Sequence, residues 1–154
     1  MTENTRRGPA QWIDLPPVWL AGFIAASWGL SKAVPGVSAG WADMLGWGLI
    51  ALGLALMAAA AGTMLRARTT VHPHHQPEAL VTSGIFRLSR NPIYLGDAAV
   101  LAGVALILGG AGLVLVPLFV ALITRRFIAA EEARLGARFG GEFAAYVARV
   151  RRWL

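Results

Sequence analysis

The apolar residues of the chain fall into four blocks separated by polar loops. The blocks are Pro17–Val34, Ala42–Leu65, Pro92–Gly110 and Ala111–Thr124, the last continuing as helix through Arg125 and Arg126. A membrane-spanning helix needs roughly 20 apolar residues, and the second and third blocks provide this length. The first contains Ser27 and Lys32, and the fourth is short, although arginine side chains at a helix end can reach the membrane interface. The pattern predicts four transmembrane helices.

The composition supports a membrane protein, since 56% of the residues are hydrophobic and 14% are charged, against roughly 25% charged in a typical soluble domain. We predict an all-α integral membrane protein that forms a single membrane domain. Residues 1–65 form an N-terminal helical hairpin, and residues 66–154 carry the chemistry. No small-residue cleavage site accompanies the first block, so we expect an uncleaved anchor. The absence of cysteine excludes disulfides and thiolate sites.

The basic residues predict the topology. Thirteen of the fourteen precede the first block, lie between the second and third, or follow the fourth, and only Lys32 lies on the other side. The positive-inside rule therefore places both termini and the central loop in the cytoplasm, and a bias to Ala, Gly and Arg favours a bacterial inner membrane. The net charge of +6 then matches anionic headgroups. We expect membrane lipids as partners, no nucleic acid, and no protein partner.

A glycine-rich turn is expected to bring two polar segments together. The sequence Gly109-Gly110-Ala111-Gly112 leaves almost no loop, so the third and fourth helices should be antiparallel neighbours. This places Asn91 and Arg125 at the same depth. The segment before the third helix and the segment after the fourth should therefore form one site.

The pair Asn91-Pro92 has two interpretations. Asn is a good N-cap and Pro suits the first helical position, which explains both residues structurally. The exposed backbone N–H groups of a helix start also favour an anion, and Arg90 would reinforce that attraction. Capping alone does not explain Arg90 or Tyr94, so an anionic ligand group at Arg90 and Asn91 is the functional hypothesis.

Three acidic residues are candidates for chemistry. Glu131 and Glu132 are either a solvated pair or, because neighbouring helical residues point about 100° apart, ligands for two different groups. Arg125 and Glu132 share a face two turns apart, so they are linked through a ligand or water, or they neutralise each other. Asp97 lies within the third block and should face the bundle or a cavity. Its role is either a structural hydrogen bond or a contact with a ligand.

The remaining polar features are the histidines and the last helix. His72, His74 and His75 lie in a proline-bounded loop without Cys or acidic ligands at a familiar spacing, so we expect no metal. The segment Ala133–Leu154 reads as a basic amphipathic helix that lies on the headgroups or folds back as a lid over the site. Gly140-Gly141 should break or bend it.

Taken in order, three motifs resemble a known family. TTVHPHHQPEALVTSGIFRLSRNPIYLG, EE and FGGEFAAYVARVRRWL are similar to the bacterial branch of the isoprenylcysteine carboxyl methyltransferases, which are related to the phospholipid methyltransferases. The resemblance covers roughly residues 66–154. It implies an integral membrane enzyme that transfers a methyl group from S-adenosylmethionine to a lipophilic acceptor reached from the bilayer.

The resemblance also implies roles for individual residues. The stretch that would line the adenosine comprises Leu80, Val81, Thr82, Ser83 and Gly84. The methionine end would be held by Arg90, Asn91 and Tyr94, and its amino group or a ribose hydroxyl by Glu131 or Glu132. Many relatives have His at the position of Asn91. Asp97 belongs to no family pattern and could mark an unusual acceptor.

The chemistry leaves the acceptor open among a carboxylate, an amine, a phospholipid headgroup and a thiol. The methyl sulfonium is already activated, so a carboxylate acceptor needs no base, whereas an amine must lose a proton to Glu131, Glu132 or Asp97. Acidic side chains attract ammonium groups, whereas Arg125 and Arg126 would bind a carboxylate.

Two rival functions come from other classes. A small membrane transporter would carry an embedded acid, often early in the chain, and residues 17–34 contain none. A non-catalytic membrane scaffold predicts no cofactor binding at all.

Overall fold

The computed structural model describes residues 14–34, 36, 39–67 and 79–154. All regular structure in these residues is helical, which confirms the all-α prediction. The α-helices are α1 (Pro16–Ala33), α2 (Gly40–Arg66), α3 (Pro92–Ile107), α4 (Leu115–Ile123) and α5 (Ala129–Arg149). Short 3-10 helices cover Gly84–Arg87 and Ala111–Val114, and a π-helix, Thr124–Ile128, joins α4 to α5. Arg6, Arg7, Arg68, His72, His74 and His75 lie outside the described residues.

The ends of α3 follow from its proline and its glycines. Pro92 occupies the first helical position, as predicted, because its fixed φ suits a helix start. The helix ends at Ile107, three residues before the predicted end, since Gly109 and Gly110 adopt φ values of 94° and 86°. This left-handed region is open to glycine at little cost. The chain thus reverses within a few residues, which confirms the predicted tight turn.

Two helical stretches are long and apolar enough to cross a membrane. They are Gly40–Arg66 and Ala111–Arg149, the second of which contains the 3-10 helix Ala111–Val114, α4, the π-helix and α5. The helix continues through Arg125 and Arg126, as predicted. Helix α3 is apolar but shorter, and α1 contains 18 residues including Lys32. The count of four spans therefore stays a prediction.

Glycine contacts hold α2 against α3. A Cβ atom at Gly53 would lie 2.5 Å from the carbonyl oxygen of Gly96, and one at Gly46 would lie 2.7 Å from that of Gly103. The pairing of Gly53 with Gly96 and of Gly46 with Gly103 makes the helices antiparallel. Small residues at such a contact let backbones approach closely. This contact crosses the boundary that we predicted at residue 66.

The main core lies between α1, α3 and the helix that follows the turn. Its fully buried members include Leu101, Phe119, Ile123 and Ile128. Phe23 of α1 meets Phe119 edge to face, with ring centroids 5.3 Å apart, an arrangement that aromatic pairs favour. Helix α1 therefore packs against α3 and α4, and this packing positions the first turn of α3.

The C-terminal helix differs from the prediction at its end. It bends at Gly140, as expected, because this residue has φ 47° and ψ −116°. However, the helix ends at Arg149, and Val150 is extended. We call residues Val150–Leu154 the C-terminal strap. Trp153 of the strap packs against the main core, so the predicted continuation of the helix to Leu154 is wrong and the chain folds back.

Candidate functional site

The residues that open α3 are held by the C-terminal strap. The backbone N–H of Arg90 donates to the carbonyl oxygen of Arg151 at 3.0 Å. The carbonyl oxygen of Arg152 accepts from the Asn91 side-chain amide at 3.0 Å and from Ser89 Oγ at 3.3 Å. Three consecutive residues of one segment thus bind two consecutive carbonyls of the other.

Asn91 occupies the N-cap position of α3, as predicted, but its side chain makes no capping hydrogen bond to the helix. The side-chain Nδ2 instead donates to the carbonyl oxygen of Arg152. Its own backbone N–H donates to Ser89 Oγ at 3.1 Å, and both residues are buried. The helix start therefore relies on Pro92 and on tertiary contacts.

Glu132 lies between two arginines. Its Oε1 is 3.1 Å from Arg90 Nη1, and it accepts two bonds from Arg152, Nε to Oε1 at 3.1 Å and Nη2 to Oε2 at 2.6 Å. The hydrogen bond to Glu132 raises the pKa of Arg152 above its ordinary value. The side chain of Glu132 is 16% exposed and that of Arg90 is 11% exposed. Two cations share one carboxylate, so the cluster carries a net positive charge.

One donor in this cluster is left over. Arg90 Nε is buried, and no described residue accepts a hydrogen bond from it. A buried donor without a partner is costly, so this N–H is a candidate for binding an acceptor group of a ligand. It is one of only two such buried side-chain atoms among the described residues.

The neighbouring glutamate faces a different group. The hydroxyl of Tyr94 donates to Glu131 Oε2 at 3.4 Å. Tyr94 is buried in the main core and Glu131 is partly buried. Adjacent glutamates thus reach two partners, as their angular separation predicts. Neutralisation of Glu132 by Arg125 does not occur. The π-helix that contains Arg125 changes the angular register before Glu132, and Arg90 and Arg152 take the carboxylate.

Asp97 follows Tyr94 by one turn. It is 5% exposed, which confirms that it faces the protein interior. No described residue donates a hydrogen bond to its carboxylate or pairs with it, so the structural hydrogen bond is not found within the described part of the chain. Contact with an acceptor stays a prediction.

Arg126 anchors the start of α1. Its Nε lies 2.6 Å from Asp14 Oδ1, which also accepts from Trp19 Nε1 at 3.3 Å. The guanidinium lies 5.7 Å from the centroid of the Trp19 ring. Arg125 is exposed. These contacts do not test whether Arg125 or Arg126 binds the acceptor, so that role stays a prediction.

The segment predicted to line the adenosine leads into the first 3-10 helix. Gly84 opens that helix with φ 58°, and a Cβ there would lie 3.0 Å from Thr63 Oγ1 of α2. On the other side, the buried hydroxyl of Tyr146 donates to the carbonyl of Phe86 at 2.6 Å. The segment is therefore held between α2 and α5. Among the described contacts, none joins residues 80–84 to Arg90 or Glu132.

A metal centre is not formed by the described residues, which contain no group of three or more His, Cys, Asp or Glu side chains in a suitable arrangement. The three histidines lie outside them.

The residues that sequence reasoning missed are Ser89, Tyr146 and Arg152. Tyr146 lies in the segment predicted to be a basic amphipathic helix, and its hydroxyl was the only signal of a polar role. Arg152 is one of three arginines in the last six residues. Nothing in the sequence separates it from Arg149 and Arg151.

Comparison with known proteins gives one match. The family model described as phospholipid methyltransferase matches residues 41–142. The match starts within α2, earlier than the residue 66 expected from the motifs, and ends inside α5. Neither a curated protein nor a solved structure matches the chain.

Proposed function

Because the chain belongs to the phospholipid methyltransferase family, we propose that it transfers a methyl group from S-adenosylmethionine to a lipophilic acceptor at the cytoplasmic face of the membrane. The acceptor is an isoprenoid or long-chain carboxylate or amine. The resemblance to the isoprenylcysteine carboxyl methyltransferases supports this narrower assignment. In this proposal α1, α2, α3 and α4 cross a bacterial inner membrane, and both termini and α5 lie on the cytoplasmic side.

One observation carries the proposal. The start of α3 and the start of α5 are distant in sequence, yet Tyr94 donates a hydrogen bond to Glu131 and Arg90 forms an ion pair with Glu132. The site therefore combines positive and negative groups that the methionine end of S-adenosylmethionine requires, since that end carries both a carboxylate and an ammonium.

The residues present fit this cofactor. The unpartnered Nε of Arg90 supplies a donor for the carboxylate, and Glu131 supplies an acceptor for the ammonium or a ribose hydroxyl. Tyr94 orients Glu131. The side-chain amide of Asn91 is engaged by Arg152, so its contribution is to shape the helix start. Leu80–Gly84 would line the adenosine.

When bound, S-adenosylmethionine supplies a methyl group that is already activated for transfer, so the protein contributes placement and exclusion of water. An amine acceptor must also lose a proton. Both oxygens of Glu132 are engaged by Arg90 and Arg152, so Glu132 is not well placed to accept this proton. Glu131, which accepts from the Tyr94 hydroxyl, and the buried Asp97 are the candidate bases.

The charge of the acceptor is the main open choice within the proposal. Asp97 would attract an ammonium group, whereas Arg125 and Arg126 would attract a carboxylate. Arg126 is already paired with Asp14, so Arg125 is the stronger candidate of the two. Asp97→Asn should slow transfer to amines, and Arg125→Gln should slow transfer to carboxylates. Both rates are measured with labelled S-adenosylmethionine.

The binding step is tested by calorimetry on detergent-purified protein. Wild type should bind S-adenosylmethionine with a micromolar Kd. Glu131→Gln and Tyr94→Phe should each weaken binding, the first by at least tenfold, which is about 1.4 kcal/mol. Glu142→Gln is the matched control, because Glu142 is exposed on the same helix.

Two results would count against the proposal. If folded wild type binds no S-adenosylmethionine in detergent or lipid, the methyltransferase proposal fails, and a transporter or scaffold becomes the better explanation. If Glu131→Gln binds as Glu142→Gln does, the cofactor lies elsewhere.

A further inference from the structure

The two arginines beside Glu132 contact its carboxylate in different ways. Arg152 donates hydrogen bonds to both carboxylate oxygens, to Oε1 at 3.1 Å and to Oε2 at 2.6 Å, whereas Arg90 forms an ion pair with Oε1, through Nη1 at 3.1 Å. Oε2 is thus engaged by Arg152 at the shorter of its two hydrogen bonds. Arg90 Nε is left without a partner among the described residues.

This inequality has a chemical consequence. A guanidinium and a carboxylate prefer to pair through two parallel hydrogen bonds. Were Oε2 vacant, Arg90 could turn its Nε edge toward Glu132 and form that two-bonded pair. The donor that the proposed function assigns to the cofactor carboxylate would then be consumed.

We propose that Arg152 is a positioning residue for the cofactor site. By occupying Glu132 Oε2, it prevents Arg90 from pairing with Glu132 through its Nε edge and keeps Arg90 Nε available to the carboxylate of S-adenosylmethionine. This inference rests on the proposed function. It assigns a task to the C-terminal strap, which lies beyond the residues 41–142 that the family model matches.

The fold explains why Arg152 alone can do this. The backbone of the strap is fixed by the bonds from Arg90 and Asn91 to the carbonyls of Arg151 and Arg152, and Trp153 packs into the core. The side chain of Arg152 is thereby directed to Glu132. The neighbouring Arg151 is exposed and contributes its carbonyl group. These backbone contacts do not depend on the side chain at 152, so a variant there should keep the strap in place.

The test compares Arg152→Gln with Arg151→Gln, which removes an equal charge one residue away. Calorimetry should show a Kd for S-adenosylmethionine raised at least tenfold by Arg152→Gln and changed less than twofold by Arg151→Gln. Arg152→Lys should fall between wild type and Arg152→Gln, since an ammonium can occupy Oε2 but not both oxygens. The unfolding midpoints of the three variants should agree.

A double variant separates positioning from general structural support. Once Arg90→Gln has removed the donor, adding Arg152→Gln should weaken binding less than twofold further, because both changes act on the same interaction. If the two losses instead add fully, Arg152 acts through the fold and the inference is wrong. Should Arg152→Gln not fold, Arg152→Lys and Arg151→Lys replace the glutamine pair, with a threefold difference in Kd expected and equal Kd values contradicting the inference.

The outcomes for this inference and for the proposed function are distinct. Absence of binding by folded wild type overturns the proposed function, and the inference with it. Binding by wild type together with equal Kd values for Arg152→Gln and Arg151→Gln overturns the inference alone.

Discussion

Replacing Gly53 by alanine should separate α2 from α3. The added Cβ would lie 2.5 Å from the carbonyl oxygen of Gly96 and 2.8 Å from Val100 Cγ2, whereas ordinary contact begins at 3.4 Å. The obstructing oxygen belongs to the backbone of α3, so no side chain can rotate away. The two helices must therefore move apart by about 0.9 Å at this point.

The size of the effect follows from that displacement. A radial gap of about 0.5 to 1 Å forfeits roughly a quarter to a half of the dispersion energy of the atoms it separates. Overpacking of this kind typically costs about 1 to 3 kcal/mol, and the better helix propensity of alanine returns up to about 1 kcal/mol. We expect Gly53→Ala to lower the free energy of unfolding by about 1 to 2 kcal/mol.

Gly48→Ala is the matched control. Gly48 lies in the same helix, and a Cβ there would meet nothing within 4 Å, so this variant should be as stable as wild type or more stable by up to about 1 kcal/mol. Both are measured by circular dichroism during SDS titration of mixed micelles. Equal stabilities for Gly53→Ala and Gly48→Ala would refute the close backbone contact.

Three further predictions concern two residues of α5 and the ion pair between Arg126 and Asp14. Tyr146→Phe removes the donor to the Phe86 carbonyl and should lower the free energy of unfolding by about 1 to 3 kcal/mol; an unchanged value in the same titration would argue against that bond. Gly140→Ala should cost about 1 to 2 kcal/mol because of its positive φ, whereas Gly141→Ala, in open space, should change stability by less than about 0.5 kcal/mol. Arg126→Gln breaks a half-exposed ion pair, so it should cost less than about 1 kcal/mol, and about 1 M salt should remove most of the difference.

Much of the fold could be predicted because the apolar blocks agree with the residues that start and end helices. Pro92 and the positive-φ pair Gly109 and Gly110 fix the limits of α3 by local chemistry alone. The end of α5 could not be predicted in this way. Trp153 continues the apolar spacing of a helix, yet its side chain reaches the core from an extended strap, and only the tertiary path of the chain decides between these alternatives.

The contact between α2 and α3 could not be predicted from the sequence either. Gly46 and Gly53 are seven residues apart, as are Gly96 and Gly103, but the chain contains 18 glycines. Spacing alone does not reveal which of them meet. The contact depends on how two helices are brought together, which no local rule specifies.

The candidate site was predictable where it depended on the hairpin. A tight turn after α3 predicts that the residues before α3 and those after α4 approach each other, and Tyr94 does meet Glu131. The partner of Glu132 was not predictable. A π-helix alters the register before it, and the choice of Arg152 over Arg125 depends on the path of the strap.

Methyl transfer itself is the most direct test of the proposed function. Protein reconstituted in bacterial lipid is supplied with S-adenosylmethionine labelled on the methyl group, and label is measured in organic-extractable products. We predict transfer by wild type and by Glu142→Gln, with at least a tenfold lower rate for Glu131→Gln. Folded wild type that transfers no more label than protein-free vesicles, with amine and carboxylate lipids both present, would contradict the account.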